Sequence, residues 1–319
     1  MLYHVFTASA IWLIIKTLIL LFIFSHNIQG LVYELYRWTR DSGIGEITLI
    51  QGGFYRIFFQ SHIFILLAFF IFLFILVKEI DKKNLQQILK RCNIISLFTV
   101  YCLLFTVIII SFSRSFWVGT IAGILFTLGI IFYKYNFKEA AITLGFIILT
   151  SIISLGLVVA IVKFPFPNPL GGFNTGELIA KRVTTANEAA ISSRWQLLPP
   201  LLEEIRKDRI RGQGFGAVVT YKSSDPRIME TTTDGFYTTY AFEWGWLDIF
   251  LKIGILGVTA YFLLLKMLIY TGLKSSFYLN WGLVTGILVI FVVNIFTPYL
   301  NHPLGIGFLI LSALLINKT

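Results

Sequence analysis

Hydrophobic residues in this chain come in long blocks, broken by short polar clusters. The blocks lie near 5–24, 57–77, 94–112, 116–133, 141–162, 246–265, 280–297 and 303–316. They approach or reach the roughly 18 to 20 residues that a bilayer-crossing helix needs. The pattern predicts an all-α polytopic transmembrane bundle of eight spans, with one long loop carrying short helices. Three units follow: N-terminal spans over 1–162, the loop over 163–245 and C-terminal spans over 246–319.

Composition agrees and rules out a soluble domain. The chain is 57% hydrophobic and 13% charged, against about 25% charged residues in soluble proteins, and its mean hydropathy is +0.82. Cys92 and Cys102 fall ten residues apart on one predicted helix, about 15 Å, which is too far for a disulfide.

The net charge of +10 divides by side. Lys78, Lys82, Lys83, Lys90, Arg91, Lys134, Lys138, Lys266, Lys274 and Lys318 fall in short connections or at the C-terminus, which the positive-inside rule places in the cytoplasm. Both termini are then expected on the cytoplasmic side of the cytoplasmic (inner) membrane. Residues 25–56, the Ser113–Ser115 corner, 163–245 and 297–303 are expected outside. The long loop carries ten further cations: Lys163, Lys181, Arg182, Arg194, Arg206, Lys207, Arg209, Arg211, Lys222 and Arg227. An outward basic surface suits an anionic partner, either membrane lipid headgroups or a phosphorylated substrate. No nucleic acid is expected there.

Within the loop, "KFPFPNPLGG" (163–172) is expected to be extended, because its prolines oppose a helix. The stretch after Thr184 reads as helical on both sides of Pro199-Pro200, with the proline pair ending one segment and opening the next. Leu201, Leu202 and Ile205 form an apolar face suited to the membrane surface. Gly212, Gly214 and Gly216 let the backbone approach protein or substrate closely. Tyr237, Tyr240, Trp244 and Trp246 fit an interfacial aromatic belt. Asp248 and Lys252, four apart, are expected to pair, whereas Glu243 has no obvious local partner. Arg114 is the only charged residue between Asn93 and Phe132, with Ser113 and Ser115 as neighbours and neither glycine nor proline beside it.

Four features run in order over about 94–316: Ser113-Arg114-Ser115 at a span's outer end, Arg194-Trp195 in the loop, the Gly212–Gly216 turn, and Gly254-x-x-Gly257 at a helix entry. Together they resemble the O-antigen ligase and O-antigen polymerase family of bacterial envelope glycosyltransferases. The resemblance implies a polyprenyl diphosphate-linked glycan as donor and a hydroxyl on a glycan, a lipid core or a protein as acceptor. It implies no metal, no nucleotide sugar and no other cofactor. A polymerase is preferred here over a ligase. Related sequences usually hold a histidine eleven residues before the first glycine of G-x-x-G, where this chain has Glu243, and usually have more than three spans ahead of the serine-arginine-serine corner.

The chemistry of the residues runs the same way. A departing diphosphate needs its charge compensated, by a divalent cation or by arginines, and the chain contains no Asp-x-Asp. The guanidinium fork matches phosphate oxygens. Arg114 and Arg194 are the candidate catalytic cations. Arg211, Ser113, Ser115, Tyr237 and Tyr240 are candidates for binding diphosphate or glycan. Glu243 is the candidate base, with His302, His26 and His62 behind it. The competing reading is a transporter or flippase of the same lipid-linked sugars. It would favour ionisable residues near the bilayer midplane and related repeats. Only Lys16, midway along the first span, answers that description.

Overall fold

Hydrocarbon offers backbone amides no partner, so apolar blocks of this length close their hydrogen bonds internally as helices. A computed structural model describes residues 2–81, 92–174, 176–177, 189–224, 229 and 234–316. The cations Lys82, Lys83, Lys90, Arg91, Lys181, Arg182, Arg227 and Lys318 lie outside the described residues. In chain order come α1 (Leu2–Ser25), α2 (Leu31–Asp41), a hairpin of β1 (Gly45–Gln51) and β2 (Phe54–Phe59), α3 (His62–Asp81), α4 (Cys92–Ser111), α5 (Arg114–Lys134) and α6 (Phe137–Val162). Then follow α7 (Ala189–Lys207), a hairpin of β3 (Val219–Lys222) and β4 (Phe236–Thr239), α8 (Gly245–Lys274), α9 (Tyr278–Val293), a 3-10 turn (Tyr299–Asn301) and α10 (Pro303–Ile316). Among the described residues, six helices are long and apolar enough to cross a membrane, while α9 and α10 are shorter apolar helices. The protein is an all-α polytopic membrane bundle, with two small sheets among the described residues.

The helix that is apolar on every side sits in the middle. α3 is 78% buried along its most apolar stretch, against 44% or less for the other five long spans. Phe69 stacks on Tyr101 of α4 and Phe74 packs edge-on against Trp281 of α9. The chain segments between spans gather at one end of this bundle. There the Leu170 amide donates to the Ser25 carbonyl, His26 Nε2 lies 2.8 Å from the Phe164 carbonyl and the Tyr299 hydroxyl donates to the Gln60 carbonyl. At the other end Tyr135 and Tyr278 join through their hydroxyls.

Four expectations change. Residues 25–61 are not a loop running into a span at 57, because α2 and the β1–β2 hairpin occupy them and α3 starts only at His62. Gly52 and Gly53, both at positive φ, make the turn that β1 and β2 need. This segment folds back along α1 and covers Lys16, whose Nζ lies 3.8 Å from the Phe59 ring centre and 5.2 Å from that of Trp38. Aromatic faces thus shield the one cation placed midway along α1.

Second, Pro199-Pro200 does not divide α7. Leu197, Leu201 and Ile205 recur every four residues and are buried with Val219, Tyr221, Phe242 and Leu251. This packing outweighs the hydrogen bonds the two prolines forgo. Third, Leu201 and Ile205 therefore face a small protein core rather than the membrane surface; only Leu202 stays exposed.

Fourth, α8 is not one straight helix from 246. Gly254 adopts φ 63, ψ −169 and breaks it. Trp246 and Phe262 would stand about 24 Å apart on a straight helix, yet their rings stack at 5.0 Å. The chain therefore doubles back at Gly254. The turn over Arg209–Gly214 fills the break: the Gln213 and Gly214 amides donate to the Leu251 and Lys252 carbonyls, and the Ile255 amide donates to the Arg209 carbonyl. A Cβ on Gly212 would sit 2.5 Å from the Gly254 nitrogen, and one on Gly254 would sit 2.2 Å from the Ile210 carbonyl oxygen. Gly212 and Gly254 thus permit a close approach to protein, whereas a Cβ on Gly214 or Gly216 would meet nothing within 4 Å.

Candidate functional site

The serine-arginine-serine corner is built without a glycine. α4 ends at Ser111 and Phe112 turns the chain in the left-handed region at φ 47. Ser113 is extended (φ −90, ψ 122) and Arg114 opens α5. The Ser113 and Ser115 hydroxyls hydrogen-bond at 3.0 Å. Arg114 thereby stands on the first turn of a 21-residue helix, whose N-terminal amides and dipole favour an anion beside it.

α7 brings the second arginine to the same place. Arg194 and Trp195, with Trp244 from the start of α8 and Phe296 from the turn after α9, join Arg114, Ser115 and Val118 around a cavity of about 310 Å³. Arg194 Nε donates to the Glu243 carboxylate, and the Trp244 indole donates to the Arg194 carbonyl at 3.1 Å. The Trp195 and Trp244 rings meet edge to face at 5.4 Å. Two arginines separated widely in sequence thus line one pocket whose other walls are largely apolar. Glu243, half exposed, does not itself line the cavity and is linked to it only through its ion pair with Arg194.

The other candidates lie elsewhere. Arg211 is exposed on the turn that plugs the α8 break, where its amide donates to Asp208 at 3.1 Å. Tyr237 packs on Tyr221 within the second hairpin, and Tyr240 is 71% exposed; neither lines the cavity. Ser113 is buried behind Ser115. His62 is buried and bonded to Thr17 (2.9 Å), while His26 is tied to the Phe164 carbonyl, so both serve the fold. His302 also lies outside the cavity, and burial holds its imidazole below the usual pKa. Asp248 pairs with Lys252 at 2.6 Å as expected and also accepts from Asn301.

Sequence reasoning missed Val118 and Phe296 as walls and read Trp244 as interfacial belt. It also missed a second cavity of about 350 Å³ between α4, α5 and α6, lined by Ile108, Phe112, Trp117, Ile121, Leu155 and Val158 among others. Trp117 and Val118 place the two cavities on neighbouring flanks of the first turns of α5.

The fold and this geometry define a polytopic membrane protein with a two-arginine cavity where its inter-span segments meet. No family model matches the chain, and no curated protein or solved structure matches it.

Proposed function

We propose that the protein is an envelope glycan polymerase or ligase, transferring glycan from a polyprenyl diphosphate to an acceptor hydroxyl at the outer face of the cytoplasmic membrane. The observation that carries this reading is the shared cavity of Arg114 and Arg194. Two fixed cations in a mostly apolar pocket suit a diphosphate whose charge grows as its bond to the sugar breaks. The apolar cavity on the next flank of α5 offers a course for the prenyl chain.

In this mechanism the acceptor oxygen attacks the anomeric carbon and the carbon–oxygen bond to the diphosphate breaks. The leaving polyprenyl diphosphate takes the electron pair, held by Arg114, Arg194 and the amides opening α5. The acceptor's proton passes to the Glu243 carboxylate. Glu243 and Arg194 are bonded to each other, so base and cation stand side by side. A single displacement inverts the anomeric centre.

Proteoliposomes holding a purified polyprenyl-diphosphate oligosaccharide, without added metal, test the reading. Wild type should form new glycosidic bonds, and Arg114→Ala, Arg194→Ala and Glu243→Gln should each lower transfer about a hundredfold or more while remaining folded. Movement of the intact donor across the bilayer with no new bond would replace this reading by a transporter.

A further inference from the structure

The left-handed backbone at Phe112 sets a structural question. A bulky non-glycine residue at φ 47 is unfavourable by itself and persists only where its surroundings hold it. Trp117 of α5 meets the Phe112 ring edge to face at 5.2 Å, and one face of β2 adds to the holding. Phe54, Arg56 and Phe58 alternate onto that face, and each meets the corner. Phe54 packs edge-on against Phe112 at 5.6 Å and Phe58 packs against Phe116 at 5.5 Å. Between them Arg56 Nε donates to the Ser111 carbonyl at 3.1 Å, at the C-terminus of α4. Carbonyls at that end have no helical partner, and a cation there is favoured by the helix dipole. Arg56 Nη1 is itself held by Glu46 of β1 at 3.1 Å. The opposite face of β2 is fixed to α1, with Tyr55 against Phe24 at 5.2 Å and Phe59 under Lys16.

We infer that Arg56 is a positioning residue for Arg114: with Phe54 and Phe58 it clamps the Ser111–Phe116 corner, so that the first turn of α5 presents Arg114 to the anion-binding cavity. The inference rests on the proposed diphosphate site and adds the hairpin to it. A region with no chemistry of its own becomes the mount for one of the two cations.

A double-mutant cycle on the purified full chain tests it, with a radiolabelled long-chain polyprenyl diphosphate as probe and the retained label as readout. Thermal melting confirms that each variant is folded. Arg56→Gln should weaken binding about tenfold, the effect of losing a hydrogen bond from a charged group, and Arg56→Lys should restore part of the loss. In an Arg114→Ala background Arg56→Gln should weaken binding no further, because its effect runs through Arg114. If Arg56→Gln misfolds, Arg56→Lys carries the same cycle. Wild-type binding by Arg56→Gln, or losses that add in the double variant, would overturn the inference while leaving the proposed function standing. Unchanged binding by Arg114→Ala alone would remove the diphosphate site, and this inference with it.

Discussion

Arg114 and Arg194 reach one cavity from mounts of opposite kind. Arg114 stands on a helix start wedged among fully buried rings, with Phe112 and Phe116 on either side of it. Arg194 rides on α7, whose support is a small satellite core and a turn docked into a broken helix. One jaw of the pocket is therefore part of the membrane bundle. The other is joined to it by side-chain packing on Leu251, the Trp244 indole bond to the Arg194 carbonyl and the glycine-dependent turn that fills the α8 break.

The largest effect should come from the docking turn. Gly254→Ala or Gly212→Ala forces a Cβ into backbone atoms at a positive φ, costing on the order of 3 kcal/mol. Arg194 should be displaced and Arg114 left in place. Limited proteolysis of the 189–245 region should accelerate sharply while the spans stay protected. Equal destabilisation of both would erase the contrast between the two mounts.

Leu201→Ala should come next. This side chain is fully buried in the satellite core, and leucine truncations in cores cost about 2 to 5 kcal/mol. The melting of the loop, followed by proteolysis of the 189–245 region at rising temperature, should shift to lower temperature. A matched truncation of Phe116 should instead lower the melting of the bundle.

The smallest effect is that of pH. Glu204 on α7 is held below the usual carboxylate range by hydrogen bonding to Lys207, then by Gln213. A depressed pKa contributes stability above the group's ordinary titration range, and that stability is lost as pH falls through the folded value. Glu204 is partly exposed and its partner Lys207 is largely so, so solvent screens the pair and the contribution is slight. Loop protection should decline modestly below about pH 4.5, and Glu204→Gln should flatten that decline.

The same contrast explains what could be read in advance. The spans were legible because hydrocarbon rewards one pattern, long apolar blocks, whatever their neighbours. Arg114 was legible because it is a lone cation in such a block. The hairpin was not, since "FYRIFF" is buried on both faces and merges with the next apolar run, hiding the alternation that marks a half-buried strand. The continuity of α7 through Pro199-Pro200 depends on Phe242 and Leu251, far along the chain, and no local rule anticipates them. Phe296 is a wall of the cavity only because α9 ends where α5 begins.

The last two helices are short. α10 has 14 residues and extends about 21 Å, against a hydrocarbon thickness of about 30 Å. Its Ile306, Ile310 and Leu314 form an exposed apolar row four residues apart. A hydrophobic face shorter than the hydrocarbon is expected to thin the bilayer that wets it. Lipid along this flank is then expected to carry its headgroups closer to the midplane, so that the protein would shape the lipid around it as well as being held by it.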